Sequence, residues 1–257
     1  MSLLSKIYSF ITNAMYVIVL ILLVGFIGNK VISVQQGRTI KAPGKFIQIK
    51  ETNYHILCDG PKTEKKTIIL EPDYFGSYIN VFSLFQSLKK TKRICVYDRF
   101  NKGFTTSTNK TYSLSKELEN LKILLEKSGE EKKFIFIGEG FGLKYAQKFA
   151  ENNKEIVDSV LGSKSSLKEE EISQKLHLGL FGSIIGAFRV GDLTKFVIPN
   201  LQKLQDSKDV EICQHFLNKQ GNWDQAIREF ETNLTYSKET NFLQNFEKKT
   251  IVSALKK

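Results

Sequence analysis

An α/β fold carried behind one N-terminal transmembrane helix is what this sequence predicts: a mostly parallel sheet with a helical lid region, truncated at the C-terminal edge. Three observations predict it. An uncharged, almost purely apolar run stands near the N-terminus. In the middle of the chain, short apolar strand-like runs alternate with helical periods. Beyond Gly162 the strand signal gives way to helical stretches.

The run Ile7–Gly28 contains no charged residue, and Ala14–Gly28 (AMYVIVLILLVGFIG) is almost wholly apolar. About 20 such residues cross a bilayer as a helix. A cleaved signal peptide is the competing reading. Its apolar core would run only about 7–15 residues and end at a small-x-small site, and neither description fits here. Residues 1–30 are therefore read as an uncleaved anchor, touching the bilayer through residues 7–28, and residues 31–44 as a juxtamembrane linker carrying Gly37, Pro43 and Gly44. Lys30, Arg38, Lys41, Lys45 and Lys50 follow the span while only Lys6 precedes it, so the positive-inside tendency predicts a domain on the synthesis-side or matrix-side face.

Residues 45–257 form the expected domain. Lys45–Lys50 (KFIQIK) and Tyr54–Cys58 (YHILC) alternate with period two across a short polar connection, which predicts an antiparallel hairpin. Thr67–Leu70, Arg93–Tyr97 and Phe134–Ile137 are apolar without alternation, as buried parallel strands are. Between them, Val81, Phe85 and Leu88 share one helix face, and Leu114, Leu118, Leu121 and Leu125 share another, bounded by Ser113 and Gly129. A third helix is expected over Phe141–Asn152, followed by a strand at Ile156–Leu161. The lid, about 163–249, is expected to hold helices at Asn200–Gln205, Val210–Gln220 and Trp223–Asn233, before a last strand-like run at Thr250–Ala254.

Hydrophobic residues make up 41% of the 257, enough for a packed core. The net charge of +11 comes from scattered lysines with short clusters such as Lys89–Lys92, without a basic face interleaved with aromatics. That excludes a nucleic-acid module and leaves anionic lipid, an acidic partner or a solvated lysine-rich surface. Cys58, Cys95 and Cys213 are odd in number and widely spaced, so no disulfide framework or metal pattern is read. Cys58 and Cys95 are taken as small buried hydrophobes. His55, His177 and His215 stand apart from one another and from carboxylate clusters, so neither a metal nor any other cofactor is expected.

The segment that decides function is Phe134–Leu143 (FIFIGEGFGL), a strand, a tight turn and a helix in succession. Gly138, Gly140 and Gly142 fall at the spacing of the G-x-S-x-G nucleophile elbow, with Glu139 and Phe141 between them. A dinucleotide fingerprint would need a further glycine where Leu143 stands. Upstream lie Ile68–Ser77 (IILEPDYFGS), like a strand ending in an oxyanion loop, and Val96–Ser107, with Asp98, Arg99, Gly103 and Ser107 in a D-R-x-x-x-G pattern. In order and spacing, Gly44–Leu161 resembles the α/β-hydrolase superfamily, particularly its carboxylesterase and epoxide-hydrolase-like branch.

The resemblance implies a nucleophile, a base and an acid, and the sequence departs from it at all three. Gly140 occupies the place of the nucleophile and has no side chain to form a covalent intermediate. No histidine follows His215, and no carboxylate follows Ile156–Leu161 or Thr250–Ala254 where the acid is expected. A substitute pairing of Ser163, Ser165 or Ser166 with His177 lacks an elbow to support it. The expectation is a degenerate, non-catalytic member: a structural subunit of a membrane complex, with the mitochondrial inner membrane favoured. An exposed sheet edge beside Thr250–Ala254, or the apolar lid stretch Leu176–Val190 with its Gly182-x-x-x-Gly186 spacing, would meet the partner. The alternatives are a lipid- or acyl-binding module using the cleft above Gly140, and a residual serine hydrolase. The triplets Asn109-Lys110-Thr111 and Asn233-Leu234-Thr235 match glycosylation sequons, which would instead suit an endoplasmic reticulum membrane and its lumen.

Overall fold

Helix α1 (Leu3–Thr39) runs unbroken for 37 residues and buries none of them. At 1.5 Å per residue it is about 55 Å long. The apolar run Ile7–Gly28 lies wholly inside it, and the helix is long and apolar enough to cross a membrane. The computed structural model describes residues 3–62, 66–74, 76–108, 111–130, 133–163, 168–185 and 207–232.

The anchor and linker divide differently from the expectation, because residues 31–39 continue the helix. Extending an existing helix adds one hydrogen bond per residue without a new nucleation cost, so Val31, Ile32 and Val34 follow it despite their branched side chains. The connection to the domain is only Ile40–Gly44. At Gly44, φ is +82° and a Cβ would come within 2.4 Å of the Ile56 carbonyl oxygen, so only glycine makes this entry.

Among the described residues the sheet has seven strands: β1 (Lys45–Ile49), β2 (Thr52–Asp59), β3 (Thr67–Glu71), β4 (Ile94–Tyr97), β5 (Thr106–Ser107), β6 (Phe134–Glu139) and β7 (Val157–Ser163). Their order is β1-β2-β4-β3-β6-β7, with β5 paired to β2. The β1–β2 hairpin is antiparallel as expected, β2 joins β4 antiparallel, and the β4-β3-β6-β7 portion is parallel. Every residue of β3 and β4 is buried, which accounts for their unalternating apolar character.

Helices α2 (Phe82–Leu88), α3 (Leu114–Ser128) and α4 (Phe141–Asn152) lie where the periods place them. Gly129 closes α3 in the left-handed conformation at φ +75°. Past β7 come α5 (Glu169–Ile185), α6 (Ser207–Leu217) and α7 (Gln220–Glu231). Trp223 on α7 is buried against Gly179 of α5, where a Cβ would fall 2.2 Å from its ring. Its Nε1 donates to the Leu217 carbonyl at 2.7 Å. The end of α1 reaches α6, since a Cβ on Gly37 would sit 3.8 Å from the His215 ring. Asn200–Gln205, Val190, Gly186 and Thr250–Ala254 lie outside the described residues.

The cysteine reading is corrected. Cys58 and Cys95 are directly opposed in the β2–β4 register, with Cα atoms 4.1 Å apart, and they form a disulfide. The Glu130 carboxylate lies beside these sulfurs, but two sulfurs bonded to each other are not available as metal ligands. The expectation of reduced cysteines failed because pairing across strands depends on register, which spacing along the chain does not report. Cys213 is a buried free thiol.

Candidate functional site

The three glycines of the turn are each required by close packing. A Cβ on Gly138 would meet the Leu143 nitrogen at 2.5 Å, and one on Gly142 would meet the Glu71 carbonyl oxygen at 2.4 Å. Gly140 sits at the tip, between the last residue of β6 and the first of α4, with φ +56° and ψ −119°. Residues other than glycine hold such a conformation only under strain.

The space in front of Gly140 is taken. A Cβ placed there would lie 2.4 Å from both carboxylate oxygens of Asp73. Asp73 belongs to the loop after β3, and its Oδ1 accepts hydrogen bonds from the Tyr74 N–H and the Phe141 N–H, each at 2.8 Å. Burial pushes the Asp73 carboxyl above its ordinary value, while these two N–H groups oppose the rise.

No family model matches this sequence and no curated relative is found. Solved structures do resemble it. An enol-lactonase from Burkholderia xenovorans superposes with a TM-score of 0.57 at 13% identity, covering 75% of each chain. Cfl2 from Burkholderia cenocepacia gives 0.59 at 14% identity, covering 73% of this chain and 70% of its own. An α/β-hydrolase enzyme from a Medee basin deep-sea metagenome library gives 0.56 at 15% identity, with 75% and 73% covered. This chain has the α/β-hydrolase fold.

In that fold the residue at the elbow tip carries the nucleophile. The next N–H, together with one from the loop after the third strand, forms the oxyanion hole. Here the tip is Gly140, and the corresponding N–H groups are those of Phe141 and Tyr74. Both of these N–H groups donate to the Asp73 carboxylate.

The cleft beyond is filled with buried charge. The Arg99 guanidinium donates to Glu71 at 3.3 Å, to the Pro72 and Asp73 carbonyls at 2.7 and 3.1 Å, and to Glu229 of α7 at 2.9 and 3.1 Å. Lys102 donates to Glu229 at 2.6 Å and to the Tyr74 carbonyl. The guanidinium also lies 5.2 Å from the Phe141 ring centre and 5.6 Å from that of Tyr145. Burial pushes Glu229 up, but Arg99 and Lys102 outweigh it and hold the group below its usual value. Burial drives Lys102 down to about 8 against the pull of Glu229. With Asp73, this cluster sets three carboxyls against two bases. Burial raises Glu71 to about 7, while Arg99 and the Tyr97 hydroxyl, which donates to it at 2.7 Å, oppose the rise.

Asp98, read from the sequence as part of the D-R-x-x-x-G pattern, is a structural hub. It accepts from the Tyr78 and Phe104 N–H groups at 2.7 and 3.0 Å and pairs with His55 Nδ1 at 2.8 Å. His55 is therefore not isolated, as its position in the sequence suggested. Its Nε2 faces the Pro43 carbonyl at 2.5 Å and ties the anchor's exit to the sheet. The substitute pairing is not assembled among the described residues: Ser163 ends β7 in register with Glu139, His177 lies exposed on α5, and Ser165 and Ser166 lie outside them.

Sequence reasoning missed Asp73, Glu229 and the His55–Asp98 pair. Asp73 stood inside the recognised loop, where an acid beside the oxyanion position was the available signal. Glu229 left none, lying 130 positions from Arg99.

Glu117 adds a buried carboxyl beside this region, accepting from the Tyr54 hydroxyl at 2.5 Å and the Phe100 N–H at 2.9 Å. Burial raises it from 4.5 to about 7. Folded Glu117 and Glu71 thus bind protons more tightly than the unfolded chain does. Their stabilising contribution is fully present below pH 4.5 and lost as pH rises through about 7. The denaturation midpoint of the full chain in detergent is expected to fall across that window, and Glu117→Gln to flatten the fall. An unchanged slope in the variant would assign the effect elsewhere.

Proposed function

We propose that this chain is a membrane-anchored α/β-hydrolase-fold pseudoenzyme, acting as a non-catalytic accessory subunit of a membrane complex. One observation carries the reading: Gly140 stands at the elbow tip with the Asp73 carboxylate seated on both oxyanion-hole N–H groups. Acyl transfer needs a nucleophile at that tip, and glycine offers none. It also needs donors free to receive a developing oxyanion, and a fixed anion there both occupies the donors and repels the charge. The Arg99, Lys102 and Glu229 cluster fills the space above, which counts against the acyl-binding alternative.

The Cys58–Cys95 disulfide supports a domain facing an oxidising compartment. On that ground the domain belongs on the intermembrane face of the mitochondrial inner membrane or the luminal face of the endoplasmic reticulum, and the synthesis-side or matrix-side orientation is disfavoured. Sensitivity to an N-glycosidase would select the second. Partners are other subunits of the complex, with anionic lipid attracted by the net charge of +11.

The test joins two measurements on protein extracted in mild detergent. A fluorophosphonate probe is expected to leave the chain unlabelled, and a native gel is expected to carry it in an assembly larger than the monomer. Labelling at any serine would end the inert reading, and migration as a lone monomer would end the subunit reading.

A further inference from the structure

Opening the Cys58–Cys95 disulfide leaves three metal-ligating groups together. Both sulfurs and a Glu130 carboxylate oxygen lie within 4.8 Å of one another. Cys58 comes from β2, Cys95 from β4, and Glu130 from the exit of α3 just past Gly129. The Asp98 N–H donates to the His55 carbonyl, so the ladder puts Cys58 opposite Cys95 at a position without direct hydrogen bonds. That is the closer of the two antiparallel positions, and its paired side chains share one face.

The Glu130 side chain is 3% exposed and gripped by Arg93, with Nε donating to Oε2 at 2.7 Å and Nη2 to Oε1 at 2.5 Å. Arg93 also donates to the Gly60 carbonyl at 3.1 Å, which fixes the guanidinium beside the end of β2. Burial pushes the Glu130 carboxyl up, but Arg93 outweighs it and holds the group below its usual value. An ionised acid therefore stands beside the sulfurs, oriented by Arg93 as outer partners orient metal-binding carboxylates.

We propose that the reduced chain binds one Zn²⁺ through Cys58 Sγ, Cys95 Sγ and the Glu130 carboxylate. A dithiol supplies the two electrons: its own sulfurs join, the Cys58–Cys95 bond breaks, and its two protons pass to the freed thiols. Zinc then displaces both protons to solvent. Two thiolates and one carboxylate balance Arg93 and the divalent ion, whereas without the metal two anionic sulfurs would face an ionised acid. Thiolate and carboxylate are both zinc donors, and tetrahedral Zn–S bonds set two sulfurs about 3.8 Å apart. Rotation of the two side chains reaches that separation with the β2–β4 backbone in place. Three protein ligands leave one position for water or a donor from another chain. The disulfide is the form kept in an oxidising compartment, and the zinc form belongs to the chain before oxidation or after reduction. This site does not depend on the elbow being inert.

For the test, the full chain in detergent is reduced with dithiothreitol, freed of it by anaerobic gel filtration and titrated with Co²⁺. Thiolate charge-transfer and tetrahedral bands report ligation. One Co²⁺ per chain is expected in the reduced parent, displaced by Zn²⁺, and none in the oxidised parent. Glu130→Gln is expected to weaken Co²⁺ binding about tenfold or more, since loss of even an outer partner costs about 10–100-fold. Cys213→Ser should match the parent. In the reduced parent, Zn²⁺ should also slow alkylation of Cys58 and Cys95, read by peptide mass mapping without any substitution. The far-ultraviolet signal and Trp223 emission should survive reduction. Loss of either on reduction overturns the proposal, because the site needs the β2–β4 register. So does a reduced parent without thiolate–cobalt bands, equal affinity in Glu130→Gln, bands lost in Cys213→Ser, or alkylation that zinc leaves unchanged.

Discussion

Glu229→Ala is expected to lower the stability of the full chain by about 3–5 kcal/mol, because it strands two buried cations. Arg99 and Lys102 are each 1% exposed, and Glu229 receives three of their hydrogen bonds. Removing the acid leaves Glu71 and backbone carbonyls as the remaining acceptors, and only the more distant Asp73 charge then opposes burial at Lys102. Since Glu229 lies on α7, the loss should open the lid before the sheet. Trp223, the single tryptophan of the chain, lies buried on the same helix and reports this directly. Its emission should shift to the red at lower denaturant than the far-ultraviolet signal of the sheet and helices. Glu229→Gln, which keeps the shape and one acceptor, should lose less. If the alanine variant unfolds at the parent's midpoint, the charge cluster does not fasten the lid.

The second large effect concerns the elbow. Gly140→Ser, which writes back the residue type that the motif expects, should destabilise the protein and give no activity. Two costs of about 1–3 kcal/mol each are expected: one for holding a side chain at φ +56° and one for forcing atoms into the Asp73 carboxylate. Adding Asp73→Ala should return much of the second cost, so the double variant is expected to be more stable than the sum of the two single changes predicts. Chemical denaturation of the four proteins in detergent measures that coupling, and strict additivity would show that Asp73 does not fill the nucleophile's space. The same four proteins, exposed to a fluorophosphonate, should all remain unlabelled. Freeing the hole does not supply a base, and His55 is committed to Asp98 and the Pro43 carbonyl.

The parts of this protein legible in the sequence are those whose cause is local. The elbow could be read because a strand, a turn and a helix start are adjacent in the chain, and the glycine spacing belongs to that unit; only Gly138 answers a contact made within it, while Gly140 and Gly142 answer Asp73 and Glu71 from the end of β3. Helix α3 could be read because its leucines repeat at helical spacing up to Gly129, which ends it. The end of the anchor was misjudged because glycine at 37 and branched residues before it weaken a helix only slightly once it has formed.

The sequence by itself determined that glycine holds the middle place of the strand–turn–helix motif, that an apolar helix precedes the domain, and that a hairpin leads into a parallel sheet. Those are consequences of residue type and short-range spacing. Only the tertiary structure decided what fills the vacated space. Asp73 and Phe141 meet across 68 positions, Arg99 and Glu229 across 130, and Cys58 reaches Cys95 only because β2 pairs with β4. Such contacts depend on how strands register and how the lid folds back. A carboxylate in a loop reads the same in sequence whether it faces water or sits buried against the turn after β6.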